Sequence, residues 1–433
     1  MSAVADFPIK PEARPYLDAF AEAETEPDWL RVARHQGLDR FAQQGFPSRR
    51  SENWRYLDLR PLEQHPLLPA EPTKEPLQPG ETIVDINNSI LVLIDGREAP
   101  QLCWLRDLPD GVWFGSVQTA IAERPDLVRA AMAGADTGSS FDALNAAFVS
   151  DGFILDIAPG VEIDAPLEIV HLSLAGGSVH TRNLITLGKG SRVTVVETFF
   201  GRDRYWRNDI ANWRLGDGAA LTHVAVVEEG AEATHLGQVT TTVDAGAKLD
   251  AFALLLGGGT VRHEALVTLA GDYAQCRIDG AYLLSDREEA NIVTTIDHQA
   301  IGGTTSELIK GVAAGRSHGA FQGKIIVREG AQQTDARQTS RNLILGRRAV
   351  IDTKPELEIL ADDVKCAHGA SVGELDETAL FYLRSRGIPI EEARRLLVEG
   401  FLAEAFDGVA HVGIRQHLMR RLNTRLGRLE EWS

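Results

Sequence analysis

Four similar turn entries, Leu187-Gly-Lys-Gly, Leu215-Gly-Asp-Gly, Val243-Asp-Ala-Gly and Leu269-Ala-Gly-Asp, follow one another at spacings of 28, 28 and 26 residues. A repeat of this length is one supersecondary unit that cannot bury its own apolar face, so the units must stack. Between the entries run β-branched and apolar segments such as Arg192–Phe199, Leu221–Val227, Leu249–Leu256 and Arg262–Leu269. These read as a few strands per coil, each of about four to eight residues. No convincing helical pattern interrupts the chain from Gly152 to Leu360. Strands of successive coils would pair in parallel and bury inward Val, Leu and Ile in one continuous core. A β-sandwich of similar strands would favour tight hairpins, yet this region holds no Asn-Gly and only two Asp-Gly pairs, at Asp217 and Asp279.

The flanks read differently. Apolar residues from Lys10 to about Gln44 recur at three and four, predicting two short helices. The mixed basic and aromatic stretch Ser48–Leu57 reads as a docking segment leading into the proline-rich linker Pro61–Pro79. Strand character begins with Ile83–Ile86 and Ile90–Ile94, and Ala120–Phe148 returns briefly to helix, with Pro125–Ala133 its best candidate. After Gly373, Glu374–Arg386 and Ile390–Phe406 are helical, separated by the stop and start signals Gly387 and Pro389. A further segment, His411–Leu426, carries Ile414, Leu418, Leu422 and Leu426 four apart among arginines. It reads either as a basic partner surface or as a helix closing the solenoid end. The predicted architecture is mainly β: a right-handed parallel β-helix flanked by N-terminal and C-terminal α-helical regions. Residues 1–80 form the N-terminal helical region and linker, 81–370 the β-helix core with a helical excursion near 120–148, and 371–433 a C-terminal helical domain.

At 433 residues the chain exceeds the size at which one compact core stops growing, which fits an elongated form. A net charge of -18 opposes phosphate backbones and anionic membranes, so neither nucleic acid nor a membrane is an expected partner. Met1–Lys10 lacks an export-signal pattern, no segment approaches a membrane span, and the three cysteines are widely spaced and odd in number. A cytoplasmic, reducing location is expected. Gly257-Gly258-Gly259-Thr260 lacks the lysine of a P-loop and reads as a turn, and no Gly-x-Ser-x-Gly, His-Glu-x-x-His or Cys-x-x-Cys occurs. Intrinsic catalysis therefore has no motif support. His223, His235, His263, His298 and His318 lack metal-ligand spacing and read as structural.

The exception lies in Asp362-Asp-Val-Lys-Cys-Ala-His-Gly-Ala370. On an extended strand Cys366 and His368 would present a thiol and an imidazole on one face. A protein holding zinc or a cluster alone usually supplies about four such ligands, so two imply that a partner completes the site. Cys276 falls mid-strand and reads as a buried inert thiol, and Cys103, beside Trp104, has no distinguishing partner.

The longer run from Asp362 through Cys366, His368 and Tyr382 to Gly387-Ile388 resembles the C-terminal signature of the SufB/SufD family, scaffold subunits of the Suf iron-sulfur cluster assembly system. Ser51-Glu-Asn-Trp-Arg-Tyr56, Phe141-Asp-Ala-Leu-Asn-Ala-Ala-Phe-Val-Ser-Asp-Gly152 and Ala331-Gln-Gln-Thr-Asp-Ala-Arg-Gln-Thr-Ser-Arg-Asn-Leu343 are similar to further family segments, so the likeness spans nearly the whole chain. SufB-like chains tend to carry a cysteine after the tyrosine of Tyr-x-x-x-Arg-Gly-Ile. Here Leu383 follows Tyr382, which favours the SufD branch. The resemblance implies a non-catalytic scaffold that pairs with SufB and binds the ATPase SufC through its C-terminal helices, the nucleotide site belonging to SufC. It further implies that His368 matches a histidine that ligates or delivers iron at the SufB interface, with Cys366 its neighbour, and that a transient iron or iron-sulfur cluster is shared across the seam. Homodimerisation in isolation, SufC stoichiometry, flavin involvement and the sulfur donor stay open. The rival reading is a purely structural partner of SufB and SufC without metal contact. A carbohydrate-active β-helix enzyme is a weaker third, since such enzymes are typically secreted.

Overall fold

From Phe153 onward the chain passes alternately through two sheets, and each double pass makes one coil. A computed structural model describes residues 8–22, 26–71, 73, 89–106, 108–133 and 138–429; the expected strand Ile83–Ile86 lies outside them. The first sheet has ten strands, in the order Lys365–Gly373, Asp335–Ile344, Thr304–Ala313, Gln275–Leu284, Lys248–Gly257, Ala220–Glu228, Arg192–Gly201, Leu167–Ser173, Ile90–Ile94 and Arg97–Glu98. The second has nine, in the order Val350–Ile359, His318–Val327, Glu289–His298, Thr260–Leu269, Thr234–Val243, Tyr205–Leu215, Gly177–Leu187, Phe153–Ile157 and Val112–Ser116. Successive coils pair in parallel and in register, for example Lys248 opposite Gln275 through Leu255 opposite Tyr282. This is the parallel β-solenoid that the repeat predicts. Its coils hold two strands of nine to eleven residues from Gly177 onward rather than several shorter ones, because polar ends such as Lys248 and Thr260 still pair with the next coil.

One corner of each coil is built around a residue in the left-handed region: Gly160, Gly190, Gly218, Gly246, Tyr273, Gly302 and Gln333, all with φ between 59° and 74°. The N–H of each donates to the carbonyl just before the equivalent residue of the next coil. The partners run from Lys189 and Asp217 through Ala245, Asp272, Ile301 and Gln332 to Asp363, at 2.6–2.8 Å. The turn entries that mark the repeat are thus the rungs of a hydrogen-bonded ladder.

Among the described residues, six α-helices precede the coils or interrupt their start: α1 (Arg14–Ala19), α2 (Asp28–Gln44), α3 (Arg60–Gln64), α4 (Val117–Glu123), α5 (Pro125–Ala133) and α6 (Ser140–Phe148). Tyr16, Phe41 and Phe141 cluster with Trp206 and Leu236, which seats this region on the outer face of the second sheet. The basic-aromatic segment docks on its own chain. Arg262 lies 4.0 Å over the Trp54 ring and donates to the Asn53 carbonyl at 2.9 Å, while Lys354 pairs with Glu52 at 2.5 Å.

Among the described residues, three α-helices follow the last coil: α7 (Glu377–Ser385), α8 (Ile390–Ala403) and α9 (Val412–Leu426). Ile414, Leu418, Leu422 and Leu426 of α9 are buried with Val196, Val224, Leu254 and Leu256 of the first sheet's outer face, each such side chain contributing about 1.5–3 kcal/mol. Arg421 pairs with Glu228, Arg425 with Glu288 at 2.6 Å, and the buried Lys310 with Glu404. The basic helix is therefore anchored along the solenoid flank. It does not close the end, because the apolar stripe matches the sheet face and the arginines find carboxylates there.

The interior also carries charge. Glu197 meets His171 and His223 through their Nε2 atoms at 3.0 and 2.9 Å. Glu229 meets Arg207 and His235, both at 2.9 Å, and accepts from Tyr205. Burial alone would raise the Glu229 carboxyl, but Arg207, His235 and Tyr205 hold it at about 2.

Gly218 has open space where a Cβ would sit, so Gly218→Ala tests backbone strain alone and should lower stability in urea titration by about 1 kcal/mol. Buried Glu168 has no partner for Oε2, and burial pushes its carboxyl up to about 8. The folded chain then keeps a proton that the unfolded chain releases near its ordinary value, so this group favours folding less and less as pH rises from about 4.5 to 8. Glu168→Gln should gain stability over the wild type across that interval, and equal urea midpoints for the two at pH 8 would refute this.

Candidate functional site

Strand Lys365–Gly373 ends the first sheet and pairs on one side, with Asp335–Ile344. Its alternate residues Cys366, His368, Ala370 and Val372 continue columns laid down by earlier coils. Cys366 stands in register over Ala336, Thr305 and Cys276, and His368 over Gln338, Glu307 and Ile278. All six underlying residues are buried, and Ala336 and Cys276 belong to the central core, against which Cys366 packs half-buried. The thiol and imidazole therefore belong to the interior face of the solenoid. His368 is exposed because no further coil of the described chain follows it.

The second sheet stops in the same way at Val350–Ile359. Val350, Ile359, Leu360 and Val372, all at least 41% exposed, give this end an apolar surface. Interior residues and two sheet edges thus meet the surroundings together, the composition expected of an interface rather than a finished wall.

Burial pushes the Cys366 thiol above its ordinary value; a hydrogen bond with the Ala336 backbone works against this, and the charge of Asp335 adds to it. The thiol is protonated at neutral pH and becomes a strong ligand once a cation displaces its proton. Thiolate and imidazole suit iron and iron-sulfur clusters. Among the described residues, no group of three or more His, Cys, Asp or Glu side chains is arranged to hold a metal, so Cys366 and His368 stand at the open end as a pair.

Cys276 is buried, and Cys103 is tied by its Sγ to the Ala99 carbonyl at 3.3 Å. His223 and His235 pair with buried carboxylates as described, His298 bonds Thr305 at 2.9 Å, and His318 meets Asp352 at 2.8 Å. Their partners Glu197, Glu229 and Asp352 escaped sequence reasoning. The signal that finds two of them is the coil length, since Glu197 and Asp352 lie 26 and 34 residues from their histidines. A second exposed feature sits on α7, where Phe381 and Tyr382 are 73% and 56% exposed and Arg386 donates to the Tyr382 hydroxyl at 2.7 Å. No described helix is long and apolar enough to cross a membrane.

Residues 171–401 match the family described as "SUF system FeS cluster assembly, SufBD core domain", and residues 16–169 match "SufBD protein N-terminal region". The chain is 28% identical to the iron-sulfur cluster assembly protein SufD of Escherichia coli (strain K12), over 90% of this chain and 92% of the relative. It is 28% identical to SufD of Bacillus subtilis (strain 168), over 93% and 95%. It is 27% identical to the chloroplastic protein ABCI7 of Arabidopsis thaliana, over 86% and 80%. With its solenoid and N-terminal region both matched, this chain belongs to the SufBD family of the SUF iron-sulfur cluster assembly system.

Proposed function

We propose that this chain is a non-catalytic scaffold subunit of iron-sulfur cluster assembly that works as one half of a heterodimeric seam. The observation that carries this reading is the open coil end. Two interior columns stop at Cys366 and His368 with the sheet edges beside them unpaired on one side. A SufB-type paralogue with the same fold is the partner suited to continue both sheets, and in doing so it would enclose the thiol and the imidazole. Its own ligands would complete the cage in which iron or a nascent cluster is held as cargo. One imidazole among thiolates gives a weaker, more releasable attachment, which suits a scaffold that hands its cluster on.

A SufC-type ATPase is the proposed partner of the C-terminal helices, where Phe381 and Tyr382 offer apolar surface that the solenoid does not use. Nucleotide-dependent binding there would shift the population of open and closed seams. The three cysteines, all free, fit a cytoplasmic setting.

His368→Ala should leave the complex with the SufB-type and SufC-type partners intact by size-exclusion chromatography. Its iron and cluster content should fall by about tenfold or more, the size that even outer-shell changes reach. Full cluster assembly by this variant would refute the ligand role. Equal iron in wild type and in the Cys366→Ala, His368→Ala double variant would favour a purely structural subunit. In alkylation followed by mass spectrometry, Cys366 should react in the free chain, faster as pH rises, and be shielded in the complex. Cys276 should stay unreacted in both; unshielded Cys366 in the complex would place the seam elsewhere.

A further inference from the structure

Beneath His368 lies a buried amide whose oxygen has nothing to bind. Gln338 is the register partner of His368 on the adjacent strand, and neighbouring strands sit about 4.8 Å apart. Gln338 is 1% exposed, and its Nε2 donates to Oε2 of Glu307 at 2.6 Å; Glu307 lies one coil deeper and is equally buried. The nitrogen is committed to the carboxyl group, and the oxygen, Oε1, is left as a buried acceptor without a partner. Such an orphan costs about 1–3 kcal/mol, so its presence calls for an explanation. The facing sheet makes room for the arrangement: a Cβ on Gly323 would collide with the Gln338 amide nitrogen and with the Phe321 ring. Gln338 also falls in the Ala331–Leu343 segment, to which no role described above assigns it.

A histidine that binds a metal through one ring nitrogen keeps an N–H on the other, and donation of that N–H to a carboxylate or carbonyl fixes the ring and its tautomer. We infer that Gln338 Oε1 is the acceptor that positions His368 for iron, with Glu307 locking the amide and Gly323 leaving it space. Gln338 is a positioning residue. The inference rests on the reading of His368 as a ligand, and it adds a device that the chain carries before any partner arrives.

The test uses the complex of this chain with its SufB-type and SufC-type partners, titrated anaerobically with Fe2+. The variants are His368→Ala, Gln338→Met and Glu307→Gln. Gln338→Met keeps the volume and removes both polar functions, and iron affinity should fall about 10- to 100-fold. Glu307→Gln still offers an acceptor to the Gln338 amide and should stay near wild type. Ring nitrogen NMR of His368 in the metal-free chain gives a second readout: one tautomer should dominate in the wild type, and the two should mix in Gln338→Met. Should that variant fail to fold, Gly323→Ala, which crowds the amide from the facing sheet, is expected to give the same loss. If His368→Ala binds iron as tightly as wild type, the ligand reading itself falls. If His368→Ala loses iron while Gln338→Met keeps wild-type affinity and tautomer ratio, the positioning inference alone is overturned. Glu307→Met, which removes the acceptor altogether, should lose affinity as Gln338→Met does, and wild-type affinity and tautomer ratio in that variant would overturn the locking role.

Discussion

Backbone hydrogen bonding between coils is the interaction on which the rest of this molecule depends. Each strand satisfies its N–H and C=O groups with the coil before and the coil after, in register, across two sheets. Such a ladder has no natural stop, because the last strand offers the same unpaired groups that every earlier strand has already used. Proteins commonly cover such an edge. Here the C-terminal helices have the length and the apolar stripe to do so, yet they lie along the flank, held by buried leucines and by Arg421, Arg425 and Lys310. What would be core in any other coil is surface in the last, and Cys366 and His368 stand there.

This arrangement separates two kinds of buried polarity. Glu229 is matched within the chain by Arg207, His235 and Tyr205, while Glu197 faces the two histidines His171 and His223. Breaking one such pair would strand an uncompensated charge and cost several kcal/mol, so these groups tie neighbouring coils together. Nearer the open end the matching is incomplete: Gln338 and Glu307 satisfy each other through one bond while each keeps an orphan oxygen. Orphans are not confined to that end, since Glu168 Oε2 and His171 Nδ1 in the early coils also lack partners.

The repeat between Leu187 and Leu269 was readable because three of its four corners, at Gly190, Gly218 and Gly246, use glycine where the backbone requires the left-handed region, while Tyr273 fills the fourth. Further along, Gln333 fills that position and gives no such mark. The spacing of Cys366 and His368 on one strand face needed only strand geometry. What lies beneath them did not show, because vertical neighbours are a whole coil apart and the coil is not constant; Glu307 and Gln338 are 31 residues apart, whereas the early turn entries are 28 apart. The apolar stripe of α9 was visible as Ile414, Leu418, Leu422 and Leu426, but a stripe states that something is covered and not what. Its seat on the flank depends on Glu228 and Glu288, far away in sequence.

The corner ladder from Gly160 to Gln333 has a consequence for how such a chain can change size. The left-handed residue falls three positions after the paired strand ends Leu187, Leu215 and Val243, four after Leu269 and His298 and six after Val327, so a corner can lengthen and still keep its bond to the next. Differences in length are thus absorbed at this corner, and the strands on either side of it keep their register through to the terminal coil.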